Sequence, residues 1–138
     1  MKITLTCSLA MAWLGLVSAS TSKDATAAVL NHCLSATANA STAGQTDCEA
    51  AAEHAYDRRM NVAFATLVQK LPAAAAERLR KSQRGWLAFR DSENTARTAL
   101  YESRQGTMYV PMEASDTTNV IRDRALQLEA YVRVLSIE

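Results

Sequence analysis

The chain predicts an all-α domain: a long antiparallel helical hairpin, with a short N-terminal helix and a C-terminal helix packed across it, and one disulfide. Three observations lead there. Apolar residues recur at steps of three and four through successive segments, which is the helical period. No stretch alternates apolar and polar residues as a half-buried strand does. The two longest segments meet at Leu71-Pro72 with almost nothing between them, so they must fold back on each other around a minimal turn.

The first element is read as a signal peptide, residues 1–19. Lys2 supplies a positive start, residues 3–17 carry no charge, and Val17-Ser18-Ala19 places small residues where a signal peptidase cuts. The run is shorter than the ~20 apolar residues that a membrane span needs. A buried N-terminal helix is the alternative, but the run has no polar face. Cys7 follows Thr4-Leu5-Thr6 rather than small residues near the end of the run, so no lipid anchor is expected. Residues 20–138 are then one helical domain, working in the periplasm or secreted.

Cleavage changes the charge and the cysteine count. The full chain has 15 Lys+Arg and 14 Asp+Glu. Losing Lys2 leaves 14 of each, and a neutral surface argues against a nucleic-acid or anionic-membrane binder. Of three cysteines, Cys33 and Cys48 remain, and an even pair in an exported chain most simply forms a disulfide. Two free thiols or a metal pair are the alternatives.

The helices follow in order. Residues 24–34 place Ala27, Ala28, Val29, Leu30, Cys33 and Leu34 in a short helical pattern. Residues 35–45 are rich in Ser, Thr, Ala and Asn and contain Gly44, the composition of a loop. Thr46-Asp47-Cys48-Glu49 has the form of a capping box. Behind it Tyr56, Met60, Ala63, Phe64, Leu67 and Leu71 form one apolar stripe. Leu71-Pro72 ends that helix, because the residue before proline is pushed out of helical geometry, and Pro72 opens the next.

The third segment, residues 73–103, is marked by Leu79, Trp86, Phe89, Ala96 and Leu100. Gly85 interrupts it, which would let another segment approach beside Trp86. Residues 104–114 contain Gly106 and Pro111 without a sustained period and read as a loop. Asp116 or Thr117 then caps a last helix carrying Ile121, Ala125, Leu128, Tyr131, Val132 and Leu135. Reflection about Pro72 sets Asn61 level with Gln83, and Asp57 within a turn of Arg90. An Asp57–Arg90 pair across the hairpin is therefore expected.

These residues carry a family resemblance. Asp57-x-x-Met60-Asn61-x-x-Phe64-x-x-Leu67-x-x-x-Leu71, then Leu79-x-x-x-Gln83-Arg84-x-Trp86-x-x-Phe89-Arg90-Asp91, resemble consecutive patterns of the LprI-type family of bacterial secreted proteins, whose namesake inhibits lysozyme. Gly106-Thr107-Met108, Met112-Glu113-Ala114-Ser115 and the helix around Arg122 to Glu129 are similar to its C-terminal part. The likeness runs from Cys33 to about Val132. It implies a protein partner of the lysozyme type and no catalysis. Members commonly carry a second cysteine pair, at places that here look like Asn94 and Asp116, and a Tyr where Phe64 stands. Its loss implies that residues 104–115 are held less firmly.

No catalytic constellation is evident. His32 adjoins Cys33 and His54 falls on a polar face, so both read as surface histidines. His54 and Asp57 offer two ligands at best, against the three or four a zinc site needs. There is no phosphate-cradling glycine loop and no nucleophile elbow, so neither metal nor cofactor is expected. Gln83, Arg84, Trp86, Arg90 and Asp91 form the densest polar and aromatic group, with Asp57 and Asn61 facing it across the hairpin; a binding surface is the alternative, since Trp and Arg often anchor interfaces. The expectation is architectural, Trp86 sharing a stripe with Leu79 and Phe89. The basic run Arg78, Arg80, Lys81 and Arg84 reads as a solvated face. That leaves the loop for a partner, with Arg104, Thr107, Met108 and Tyr109 as its binding residues. The function expected is binding and inhibition of a lysozyme-like muramidase; the alternative is a non-catalytic envelope module for another protein or a wall fragment.

Overall fold

The structure is a computed structural model that describes residues 24–137. The expected signal peptide, with Cys7, lies outside them. Four helices follow in order: α1 Ala25–Ser35, α2 Thr42–Lys70, α3 Ala73–Glu102 and α4 Tyr109–Val134, with a short 3-10 turn at Thr37–Asn39 between the first two. No strand is present among the described residues, and the all-α expectation holds.

The core is the seam between α2 and α4. Ala52, Tyr56, Met60, Ala63 and Leu67 of α2 meet Ile121, Ala125 and Leu128 of α4, and all eight are buried. Steps of three and four put each set on one helix face. The two helices run parallel: the Thr118 hydroxyl lies 3.1 Å from the Glu49 carbonyl oxygen, and Arg59 meets Glu129 about three turns further on both. Helix α3 returns antiparallel to both after Pro72, as the hairpin expectation requires. It lays Leu79 and Trp86 against the core and buries Ala76, Gln83 and Arg97.

Several boundaries differ from the sequence reading. Helix α2 begins four residues before Thr46, because the Ser41 hydroxyl accepts from the Gly44 N–H at 3.0 Å and caps it. Thr46 instead donates to the Thr42 carbonyl inside the helix. Gly44 passes so close to the 3-10 turn that a Cβ would lie 2.7 Å from the Asn39 Cα. Helix α4 begins at Tyr109, so residues 109–115 are helix rather than loop. Pro111 falls in its first turn, where a missing N–H leaves no hydrogen bond unmade. Asp116 and Thr117 are interior to α4 and cap nothing. Gly85 faces open space, with no segment beside it. Phe89 and Leu100, expected on the inner stripe, are more than half exposed.

Helix α1 has no fully buried residue and is held at both ends by other means. Cys33 is bonded to Cys48 at one end. At the other, the Asp24 carboxylate caps α1 and accepts from the Tyr56 hydroxyl at 2.8 Å and from Arg59. Arg59 also forks Glu129 of α4 through two bonds of 2.7 and 2.8 Å, so one guanidinium joins three helices. Burial pushes the Tyr56 phenol up, and its bond to Asp24 adds to this, to about 12. Burial also works to raise the Asp24 carboxyl, but the donors Arg59 and Tyr56 outweigh it and hold it below its usual value.

The two shifts act at opposite ends of the pH scale. Between about pH 10 and 12 native Tyr56 keeps a proton that the unfolded chain loses, so its contribution to stability is complete below pH ~10 and vanishes as pH rises to 12. Asp24 contributes above the ordinary carboxylate pKa and loses that contribution as pH falls through its lowered native value. Tyr56→Phe is therefore expected to be about 1.5 kcal/mol or more less stable at neutral pH, having lost a hydrogen bond to a charged acceptor. Its stability should also decline less than wild type between pH 10 and 12. Urea midpoints across that range check both; parallel profiles would show that Tyr56 does not titrate late.

Candidate functional site

The expected polar cluster is built differently from the sequence reading. Gln83 is buried, and its Oε1 accepts from Arg124 Nε at 2.9 Å, while its Nε2 lies 3.7 Å from the Met60 sulfur. Arg124 is also buried and donates to Gln127 at 2.6 Å and, more weakly, to Ser82. Burial lowers the pKa of its guanidinium. Trp86 is half-buried, with Arg90 and Arg124 placed over its ring at 5.6 and 5.8 Å, where the ring quadrupole attracts both cations.

The Asp57–Arg90 pair does not form. Asp57 accepts from Asn61 on its own helix at 2.9 Å, and Arg90 from α3 donates to Asp91 at 2.7 and 2.9 Å. Asn61 and Asp91 are exposed, so neither joins a buried cluster. Each helix turns about 100° per residue, and the rotation that packs α2 and α3 leaves each side chain nearest a partner on its own helix. Arg124, which completes the cluster, was missed: Arg122-Asp123-Arg124 reads as a charged surface run, and only helix register separates the buried arginine from the exposed flank.

The partner loop is shorter than expected, residues 103–108. Gly106 turns it with φ +119°, a conformation that side-chain-bearing residues avoid. Arg104 and Thr107 are exposed and Met108 is 60% exposed. Tyr109 is half-buried against Tyr101, with ring centroids 6.4 Å apart. Val110 and Met112 extend the exposed apolar surface onto α4.

Where relatives commonly carry a second cysteine pair, this end is joined by hydrogen bonds. Arg97 donates to Thr117 at 2.8 Å, Thr98 to Glu113 at 2.6 Å, and Tyr101 to Asp116 at 2.6 Å. The Asp116 bond raises the Tyr101 phenol above its usual pKa. Three α3–α4 hydrogen bonds thus hold the loop's flanks. Met108, Pro111 and Met112 also wall a groove of about 440 Å³ against Leu34 and Glu49. Both histidines are exposed, and no group of three His, Cys, Asp or Glu residues comes together among the described residues. No described helix is long and apolar enough to cross a membrane.

Fold and site together define a disulfide-stapled α-helical domain with exposed apolar side chains in two groups, Met108, Val110 and Met112 beside the loop and Val134, Leu135 and Ile137 at the far end of α4. The family described as lysozyme inhibitor LprI matches residues 19–128, and the chain belongs to it. Among solved structures, the chain is similar to an uncharacterized protein from Burkholderia thailandensis, with 34% identity and a TM-score of 0.77. That match covers 82% of this chain and 56% of the other, so this chain spans little more than half the length of that relative. No curated protein matches the chain.

Proposed function

We propose that this protein acts outside the cytoplasm as a non-catalytic inhibitor of a lysozyme-like muramidase, binding it with the end of the bundle that carries residues 103–112. Membership of the LprI family carries the reading. Export is supported by the uncharged run at residues 3–17 and by the Cys33–Cys48 bond, which persists in oxidising compartments. The choice of end is supported by exposure: Met108, Val110 and Met112 stand out beside Arg104, whereas the inner faces of α2 and α4 are occupied by the core. A glycosidase of this class works with two carboxylates flanking a cleft. Arg104 and the loop N–H groups supply donors for such carboxylates, while Met108 supplies apolar contact. The ties across α3 and α4 reduce the ordering cost of binding.

Inhibition of a panel of lysozymes by purified residues 20–138 tests this. Arg104→Ala with Met108→Ala is expected to lose at least tenfold in inhibition. Its Tm should stay within about 2 °C, since changes at exposed positions usually lie within ~0.5 kcal/mol. A double variant that inhibits like wild type would mean that another face does the binding. If wild type inhibits and binds none of the panel, the protein is an envelope module for a different partner.

A further inference from the structure

One buried carboxylate of the described residues has an oxygen without a hydrogen-bond donor. Glu49 lies in the first half of α2 and is 5% exposed, yet its Oε2 is buried with no hydrogen-bond donor among the described residues. It is in none of the ion pairs of those residues, whereas Asp24 and Glu129 share Arg59. A carboxylate oxygen kept from water without a donor is costly to the fold that holds it. Glu49 also lines the 440 Å³ groove between the start of α2 and the start of α4, whose other walls include Leu34, Met108, Pro111 and Met112. A buried acid, the aliphatic and thioether surface of Leu34, Met108, Pro111 and Met112, the polar Thr42, Gln45 and Ser115, and an opening beside the partner loop make a chemically specific receptor.

We propose that this groove takes an arginine side chain of the bound protein partner, its methylene stem along Met108, Pro111 and Met112 and its guanidinium donating to Glu49. Arginine fits because its planar fork matches a carboxylate and its weak hydration lowers the cost of entry. Methionine walls adapt to such a stem. The inference deepens the lysozyme-binding reading and rests on it for the identity of the partner, though not for the chemistry of the groove. Glu49 in the free protein is an unpaired charge that the complex satisfies, which directs its cost toward specificity: a partner without the arginine leaves the carboxylate buried and unmet.

Two measurements separate the groove from the partner. Acetyl-arginine methylamide, titrated into labelled protein at millimolar concentration, is expected to shift the amide signals of Glu49, Met108 and Met112. Its citrulline counterpart, of the same shape but uncharged, should not. Glu49→Gln should abolish the arginine-specific shifts while keeping or raising the Tm, because it removes a buried charge; a group needed for folding would lower it. Met112→Lys, at a position 44% exposed, provides a second variant: its own cation would reach Glu49 and exclude the probe. Lysozyme binding is measured on the same proteins, with at least a tenfold loss expected for Glu49→Gln. Equal shifts from arginine and citrulline, or shifts that persist in Glu49→Gln, would overturn the groove assignment even if lysozyme binds. Arginine-specific shifts in a protein that binds no lysozyme would keep the groove and reject the lysozyme reading.

Discussion

Leu128→Ala is expected to remove about 3–4 kcal/mol of stability, from the lost transfer energy together with the cavity left behind. Leu128 is fully buried on the face of α4 that packs on α2, in a cluster with Ala63 and Leu67. The site has little room to collapse, because Arg59 bound to Glu129 and Thr118 bound near Glu49 hold the two helices at a set spacing on either side. A domain of this size loses several degrees of Tm per kcal/mol, so melting should fall by 10 °C or more. Leu135→Ala, at a position 39% exposed, should cost under ~1 kcal/mol. Calorimetry or urea unfolding decides it; similar losses for the two variants would mean that the α2–α4 seam is not the core.

The second large effect is expected from the disulfide. Cys33→Ala with Cys48→Ala opens a loop of 15 residues, which the chain-entropy estimate values at about 3 kcal/mol. Alanine is the appropriate replacement because Cys48 is 3% exposed and a serine hydroxyl there would be buried. The loss should fall unevenly. Helix α1 buries none of its residues fully, and Asn39 bonds to the Cys33 carbonyl at 3.0 Å beside the bridge. Without the bond, α1 keeps its Asp24 anchor, the Arg59–Thr26 hydrogen bond and the packing of half-buried Leu30 on the core. Its amide protons should then exchange far faster, while those of α2 and α4 slow or speed only with global stability. Uniform acceleration across all four helices would instead show that α1 folds as one unit with the rest.

The stripe from Tyr56 to Leu71 and that from Ile121 to Val132 were legible because apolar side chains at steps of three and four share one face of any α-helix, whereas Tyr131 and Leu135, expected on the second, are exposed. The hairpin was legible because Pro72 leaves no room for a longer connection. Gln83 was placed near α2 by simple reflection, and it does reach Met60. The start of α4 was misplaced for a physical reason: proline breaks a helix from inside but is tolerated in its first turn, and Pro111 alone does not tell which position it occupies. Thr46-Asp47-Cys48-Glu49 is the strongest capping pattern along the chain, yet the cap is Ser41, whose hydroxyl accepts from Gly44 beside the 3-10 turn.

Periodicity, proline spacing and cysteine count are properties read along one chain, and they sufficed for the class of fold, its long helices and the Cys33–Cys48 pairing, while the family rests on the residue patterns of Asp57–Leu71 and Leu79–Asp91. Charge partners are another matter. Each residue turns a helix by about 100°, so which of Arg122 and Arg124 is buried, and whether Arg90 faces Asp57 or folds onto Asp91, depends on how each helix is rotated against its neighbours. That rotation is set by the whole α2–α4 seam. Only tertiary packing could therefore leave Arg124 beneath Trp86 and Glu49 in a methionine-walled groove without a partner of its own.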